Sequence, residues 1–192
     1  MIKYKLSVLV LALAFTIIFS SAAFAQYESN DKSLFGLRLS NYRPSGADLS
    51  SLESNWLGPT LDYHLSFDSS DRPVNIISLS ILNAGNNQTT AKLASLVATK
   101  LKYLGNDSNN PWYIGTGIGV YKTSYEAFDF GRFIQVTDDG LKYGFSLTAG
   151  KQFSNVWFSE LRYDKIGKLK TSISGDIDFS GITISVGTRM LF

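Results

Sequence analysis

Three residues with the chemistry of a hydrolytic triad lie at alternate positions of one short segment: Asp62, His64 and Ser66. A serine nucleophile requires a general base and an orienting acid within hydrogen-bond reach. Alternate residues of a strand share one face, so the three side chains would point the same way. The same spacing is also that of an ordinary polar strand face, and a motif this short favours that interpretation. We therefore expect no catalytic residue.

A glycine-rich run, Gly115-Thr-Gly-Ile-Gly119, invites comparison with the phosphate-binding loops of nucleotide-binding proteins. Such a loop follows a strand and opens a helix. Here the glycines recur at every second position, and Tyr121 and Lys122 lead into a polar stretch. The run therefore predicts a strand with one very small face and no bound nucleotide.

Composition narrows the chemistry further. There are no cysteines and His64 is the single histidine, which excludes disulfides, thiolate catalysis and the usual zinc ligand sets. We expect no metal and no cofactor. Lys3 and Lys5 account for the net charge of +2, because the rest of the chain has equal numbers of acidic and basic residues. That balance gives no support to nucleic-acid binding, which relies on excess positive charge.

Residues 1–25 have the three parts of a secretory signal peptide. Lys3 and Lys5 form the basic start, 6–19 is apolar, and Ala23-Phe24-Ala25 matches the A-x-A cleavage pattern. The apolar run is shorter than the ~20 residues that a spanning helix needs. The sequence predicts cleavage after Ala25, a short lead over 26–33, and one domain over 34–192.

Eight later segments alternate apolar with polar or small residues, which is the period of a strand. The predicted strands are 35–42, 57–67, 74–82, 93–103, 112–121, 141–153, 157–164 and 181–192. Long connections (43–56, 83–92, 122–140 and 165–180) alternate with short ones (68–73, 104–111 and 154–156). Long outside loops and short periplasmic turns are typical of outer-membrane barrels. The sequence predicts an all-β fold, an eight-stranded antiparallel transmembrane β-barrel with an up-and-down meander.

Alternation alone does not say which face meets the surroundings, because a soluble barrel such as a lipocalin holds its apolar face inside. One predicted face is rich in glycine, serine and threonine, which suits a narrow lumen and makes a poor hydrophobic core. The other face carries large apolar residues, with aromatic residues at the periplasmic strand ends. We expect an outward girdle at the lipid interface formed by Phe35, Phe67, Tyr103, Trp112, Phe153, Trp157 and Phe192.

Charged residues on the predicted inner face should pair, because an isolated charge inside a barrel in lipid is costly. The expected lumen network consists of Arg38, Asp62, His64, Lys100, Glu160, Arg162 and Arg189, and Lys102 falls on the same face. Glu160 and Arg189 lie on adjacent predicted strands, so we expect them to belong to one network. The network is either a structural plug or a selectivity element, and the small width of eight strands favours the plug.

Three features resemble the small outer-membrane barrels of the OmpA, OmpX and OmpW type: Pro111-Trp-Tyr-Ile-Gly-Thr-Gly-Ile-Gly-Val-Tyr121, Trp157-Phe-Ser-Glu-Leu-Arg-Tyr163 and the terminal Arg189-Met-Leu-Phe192. The resemblance covers about 34–192. It implies a location in outer-membrane lipid and insertion by the barrel-assembly machinery through Phe192. A barrel of this kind is expected to be a monomer.

The resemblance leaves the activity open. The favoured function is an envelope-structural or surface-interaction role with a plugged lumen, and the first alternative is a narrow pore for small, hydrophobic solutes. His64-Leu-Ser66 is also similar to the His-x-Ser pair of outer-membrane lipid A deacylases, so a lipid-modifying enzyme is the second alternative. The aromatic residues of 122–140 suit either a binding surface or a cap over the barrel.

Overall fold

The strands close into one barrel. In this computed structural model, the described residues are 34–50, 56–86, 88–105, 110–129, 131, 133–154, 156–172 and 175–190. The elements are β1 (Phe35–Pro44), α1 (Ala47–Ser50), β2 (Trp56–Phe67), β3 (Pro73–Gly85), β4 (Thr89–Leu104), β5 (Trp112–Asp129), β6 (Ile134–Gln152), β7 (Trp157–Ile166), β8 (Leu169–Thr171), β9 (Gly175–Ile177) and β10 (Gly181–Met190).

Each barrel strand pairs antiparallel with its neighbour in the chain, and β1 pairs with β10 to close the cylinder. The short strands β8 and β9 form a separate hairpin between β7 and β10. The prediction of an eight-stranded antiparallel meander is therefore confirmed. Within the described residues, no helix has the length and apolar character needed to cross a membrane.

The two faces of the wall differ in polarity as the alternation predicts. Large apolar side chains on the outer face are widely exposed, including Ile118 and Tyr143 at 74% each. The inner face of the barrel buries many polar side chains, such as Arg38, Ser40 and Asp62. Apolar residues are therefore outside and a large share of the polar residues inside, the reverse of a soluble barrel.

The wall is taller on one side than on the other. β5 and β6 have 18 and 19 residues, whereas β1, β7 and β10 have 10 each. The predicted loops 83–92 and 122–140 are therefore wrong, because most of both segments continues as paired strand. Where a strand extends beyond the apolar layer, its outward residues need not be apolar. The alternation of apolar and polar residues therefore ends before the strand itself ends.

The inner and outer faces of β4 are opposite to the prediction. Val97 and Leu101 are buried inside the barrel, whereas Lys100 and Lys102 are exposed with Leu96 on the outer face. Lys100 therefore does not belong to the lumen network. The error arises because part of the lumen next to β4 is apolar, so hydrophobicity marks the inner face of this strand.

Two aromatic residues of the predicted girdle also lie elsewhere. Tyr103 shares the inner face of β4 and packs against Tyr113. The register between β2 and β3 shifts at Ser66, and an extra residue in one strand reverses the alternation that follows it. Phe67 is accordingly half-buried with its ring edge-on to His64. The predicted signal peptide, the lead over 26–33 and the girdle position Phe192 lie outside the described residues.

Candidate functional site

The centre of the lumen is an ion-pair network organised by Arg38. One terminal nitrogen of its guanidinium donates to Asp62 at 2.8 Å and to Ser78 at 3.0 Å, and the other donates to Glu160. Ser78 Oγ in turn donates to Asp62 at 2.6 Å. All four side chains are at least nine-tenths buried. One arginine thereby links strands β1, β2, β3 and β7.

Arg38 reaches Glu160 by lying across Gly187 of the intervening strand β10. Arg38 and Gly187 are directly paired in the sheet. A Cβ atom added to Gly187 would lie 2.5 Å from Arg38 Cγ and 2.7 Å from Phe158 Cζ. Since real Cβ atoms do not approach that closely, any larger residue at position 187 would displace the arginine.

Tyr113 repeats the arrangement on the other side of Glu160. Its ring lies over Gly150, the residue paired with it on β6, and its hydroxyl donates to Glu160 Oε2 at 3.3 Å. Glu160 thus accepts hydrogen bonds from Arg38, which crosses Gly187, and from Tyr113, which crosses Gly150. The glycines of the inner face provide the space in which long polar side chains cross one strand to reach the next.

A second ion pair lies further along β7. Arg162 Nε donates to Asp164 at 3.0 Å, and the Tyr121 hydroxyl donates to the same carboxylate at 2.8 Å. Hydroxyl groups fill part of the space between the charged groups: Ser40 contacts Thr60 at 2.9 Å and Ser185 at 3.0 Å. Polar atoms therefore link the strands over much of the middle of the lumen.

Arg189 lies at the end of the lumen where β5 and β7 begin, and its side-chain hydrogen bonds go to residues other than Glu160. It donates to Gln152 Oε1 at 2.7 Å and to the Tyr103 hydroxyl at 2.8 Å. The partner of Glu160 is Arg38 instead. Arg189 and Glu160 nevertheless line the same small cavity, together with His64 and Arg162. The predicted network residues therefore gather in the lumen, with Lys100 excluded.

Apolar side chains fill the opposite end of the barrel. Trp56 is completely buried, with its ring edge-on to Tyr42 and to Phe179. Leu49 of α1 and Phe179 of the segment before β10 belong to the same buried cluster. Leu49 and Phe179 thus lie in connecting segments but pack into this end of the barrel, which the strand pattern gave no means to anticipate.

The charged groups of the lumen border a small cavity. The cavity bordered by Arg38, Glu160 and Arg189 has a volume of about 20 Å³. That volume holds about one water molecule. One buried apolar cluster lies on one side of this cavity, and the Tyr113–Phe158–Leu101 cluster lies on the other.

His64 and Ser66 do not meet as a catalytic pair in this arrangement. His64 lines the lumen cavity, whereas Ser66 Oγ accepts a hydrogen bond from Asn75 Nδ2 at 2.6 Å. Asn75 borders a groove on the outer wall. The register shift at Ser66 separates the two side chains of the motif. Among the described residues, no group of acidic or histidine side chains forms a metal site.

The turn between β2 and β3 carries its own ion pair. Asp68 accepts from Arg72 Nε at 2.8 Å and from the backbone N–H groups of Ser70 and Arg72. Partial burial opposes ionisation, but these hydrogen bonds outweigh it and lower the pKa of Asp68 below its usual value. The turn is thus fixed by a charged carboxylate.

Aromatic residues surround the outer wall at the end where β5 and β7 begin. Trp112, Phe153 and Trp157 are each more than half exposed, and Phe35 packs against the exposed ring of Tyr63. The ammonium of Lys151 lies 5.3 Å from the ring centre of Trp112. These outward rings are the part of the predicted girdle that the structure places on the outer face.

No family model and no curated protein sequence matches the chain. Among solved structures, the chain is similar to the N-terminal β-barrel domain of OprF from Pseudomonas aeruginosa, with 12% identity and a TM-score of 0.52 over 83% of this chain and 98% of that one. It is also similar to Neisserial surface protein A, with 15% identity and a TM-score of 0.51 over 82% and 96%. The chain therefore has the fold of these small eight-stranded outer-membrane barrels.

Proposed function

We propose that the chain is an integral outer-membrane barrel whose lumen is sealed and whose role is structural or surface-binding. The observation that carries the membrane location is the polarity of the wall. Ile118, Tyr143 and other large apolar side chains cover the outer face, while Arg38 and its carboxylate partners are buried inside. Such a surface is stable only when lipid covers it.

The packed lumen supports a non-conducting barrel over the alternative of a narrow pore. Solute would have to displace the Arg38–Glu160 pair and the buried Trp56 cluster to pass. Purified chain in planar bilayers should give no current steps, with a general porin in the same bilayers as the positive control. Regular steps of one conductance would contradict the proposal and favour the pore.

A surface-binding role is supported by the tip of the tall β5–β6 hairpin. Phe133 is 80% exposed and has a φ of 52°, a backbone conformation that is uncommon outside glycine. Ile134 beside it is half exposed. Cells that display the chain should adhere to a hydrophobic surface more strongly than cells with Phe133→Ser. Gln135→Ser is the control, and equal adhesion of all three would remove this role.

The lipid-modifying alternative requires His64 and Ser66 to act together on lipid. Because Ser66 is bonded to Asn75 and His64 lines the lumen cavity, we expect no deacylation of lipid A by the purified chain. Deacylation that disappears in Ser66→Ala would overturn this. We further propose that the chain is a monomer that the barrel-assembly machinery inserts through Phe192, which deletion of Phe192 tests by its effect on outer-membrane yield.

A further inference from the structure

The outer wall of the barrel has a groove on its surface. A groove of about 620 Å³ crosses β4, β5 and β6, bordered by Leu65, Ile118, Phe145 and Leu147. The groove forms where the outward residue of β4 is the small Ala98, which is paired with Ile118. The volume is that of a pocket for a small organic molecule or one lipid chain.

A lysine stands at the edge of this apolar groove. Lys100 is outward on β4, paired with Thr116 on one side and Asn75 on the other, and all three border the groove. Lys102 is exposed on the same face two residues further along. Between the groove and the periplasmic end, the described outward positions of β3 to β6 contain no aspartate or glutamate. The positive charge therefore has no carboxylate partner on this part of the wall.

The height of Lys100 on the wall points to a lipid headgroup. It lies four residues from Leu104, which is paired with the girdle residue Trp112. Four residues of a strand tilted by about 40° rise roughly 10 Å, so Lys100 is set just above the aromatic girdle. Lysine side chains at this depth extend toward the headgroup region, where anionic lipids supply a counter-charge.

We propose that this groove binds an anionic phospholipid, with one acyl chain over Ala98 between Ile118 and Phe145 and the phosphate beside Lys100. The inference rests on the membrane location proposed above. The apolar borders fit a chain, the ammonium fits a phosphate, and both lie in the half of the wall that ends in the girdle. A zwitterionic lipid carries no net charge to offset that of Lys100, which is why an anionic headgroup is preferred.

Quenching by brominated lipid provides the test. Trp112 lies on the outer face of β5, four residues from the groove residue Thr116. In the background variant Trp157→Phe, Trp112 is the exposed tryptophan and Trp56 is buried. The chain is reconstituted in phosphatidylcholine vesicles with a rising fraction of brominated phosphatidylglycerol, and in parallel with brominated phosphatidylcholine. The wild-type groove should bind phosphatidylglycerol preferentially. Lys100→Gln should reduce that preference about fivefold, the worth of one lysine beside an anionic lipid.

Ala98→Phe fills the groove without changing charge and should reduce the preference as well, whereas Lys92→Gln, outward on β4 beyond the groove, should retain it. Equal quenching by the two lipids, or a preference unchanged in Lys100→Gln, would overturn the inference while leaving the membrane location intact. Failure of the wild-type chain to insert would instead overturn the proposed function. Loss of a cross-linked dimer in Ala98→Phe, with lipid preference unchanged, would assign the groove to a second copy and also overturn the inference.

Discussion

The side chain of Arg38 crosses strand β10 to reach Glu160 on β7, and Gly187 is the residue over which it crosses. Replacing Gly187 by alanine places a methyl group against Arg38 Cγ. We expect Gly187→Ala to lower the free energy of unfolding by about 1–3 kcal/mol, as overpacking does in other cores. Urea unfolding in detergent micelles measures the change.

Gly167→Ala is the matched control, because a Cβ there meets its nearest neighbours at 3.7 Å or more. It should leave the unfolding free energy nearly unchanged. If both alanine variants are equally stable, the crossing of β10 does not constrain the barrel.

Removal of Arg38 leaves two carboxylates buried without their cation. Arg38→Gln should cost about 3–5 kcal/mol of unfolding free energy, the range measured when one partner of a buried pair is lost. A triple variant, Arg38→Met with Asp62→Asn and Glu160→Gln, removes the charges together and should recover most of that loss. If the triple variant is as unstable as Arg38→Gln, the penalty does not come from unpaired charge.

The buried apolar cluster at one end of the lumen depends on Trp56. Because its ring is fully buried against Tyr42 and Phe179, Trp56→Ala should cost about 3–5 kcal/mol through the cavity it leaves. Trp157→Ala removes an exposed ring on the outer face and should cost far less in micelles. Unfolding curves followed by tryptophan fluorescence distinguish the two; similar losses would mean that the mouth is not packed as described.

Asp68 makes the β2–β3 turn sensitive to acid. Its pKa is lowered in the folded chain, so the stabilisation it provides is present above the usual pKa of about 3.8 and is lost as the pH falls through the lower folded value. Asp68→Asn should therefore be less stable than wild type at pH 6, with the difference shrinking below pH ~4. Arg72→Gln should show the same profile, because it removes the main donor. A difference that is constant with pH would contradict the role of the ionised carboxylate.

The sequence correctly predicted the orientation of strands in which apolar and polar residues alternate strictly. In β10, Ile182, Ile184 and Val186 are outward and Thr183 and Ser185 are inward, as their pattern predicts. In β4 the same rule gave the reverse of the true orientation, because Val97 and Leu101 belong to apolar layers inside the barrel. Periodicity shows that a strand has two faces, and neighbouring strands decide which face is inside.

The alternation of residue types within each strand could not predict which side chains meet across strands. The pattern placed Glu160 and Arg189 on adjacent strands in one network. Strands in a barrel are staggered, however, and Arg38 is paired with Gly187 while Arg189 is paired with Gly36. The stagger brings Arg38 to Glu160 and places Arg189 nearer the barrel end. The register shift at Ser66, which turns Phe67 away from the girdle, likewise has no signature in residue type.

We expect lipid to cover the apolar face of the wall, and a spin-label scan of β10 measures whether it does. The chain has no cysteine, so single cysteines at 182 to 186 carry the label without a background. In liposomes, labels at Ile182, Ile184 and Val186 should collide often with oxygen and rarely with a water-soluble nickel complex, while Thr183 and Ser185 should be shielded from both. High accessibility of positions 182, 184 and 186 to the nickel complex would contradict the claim, because it would place the apolar face in water.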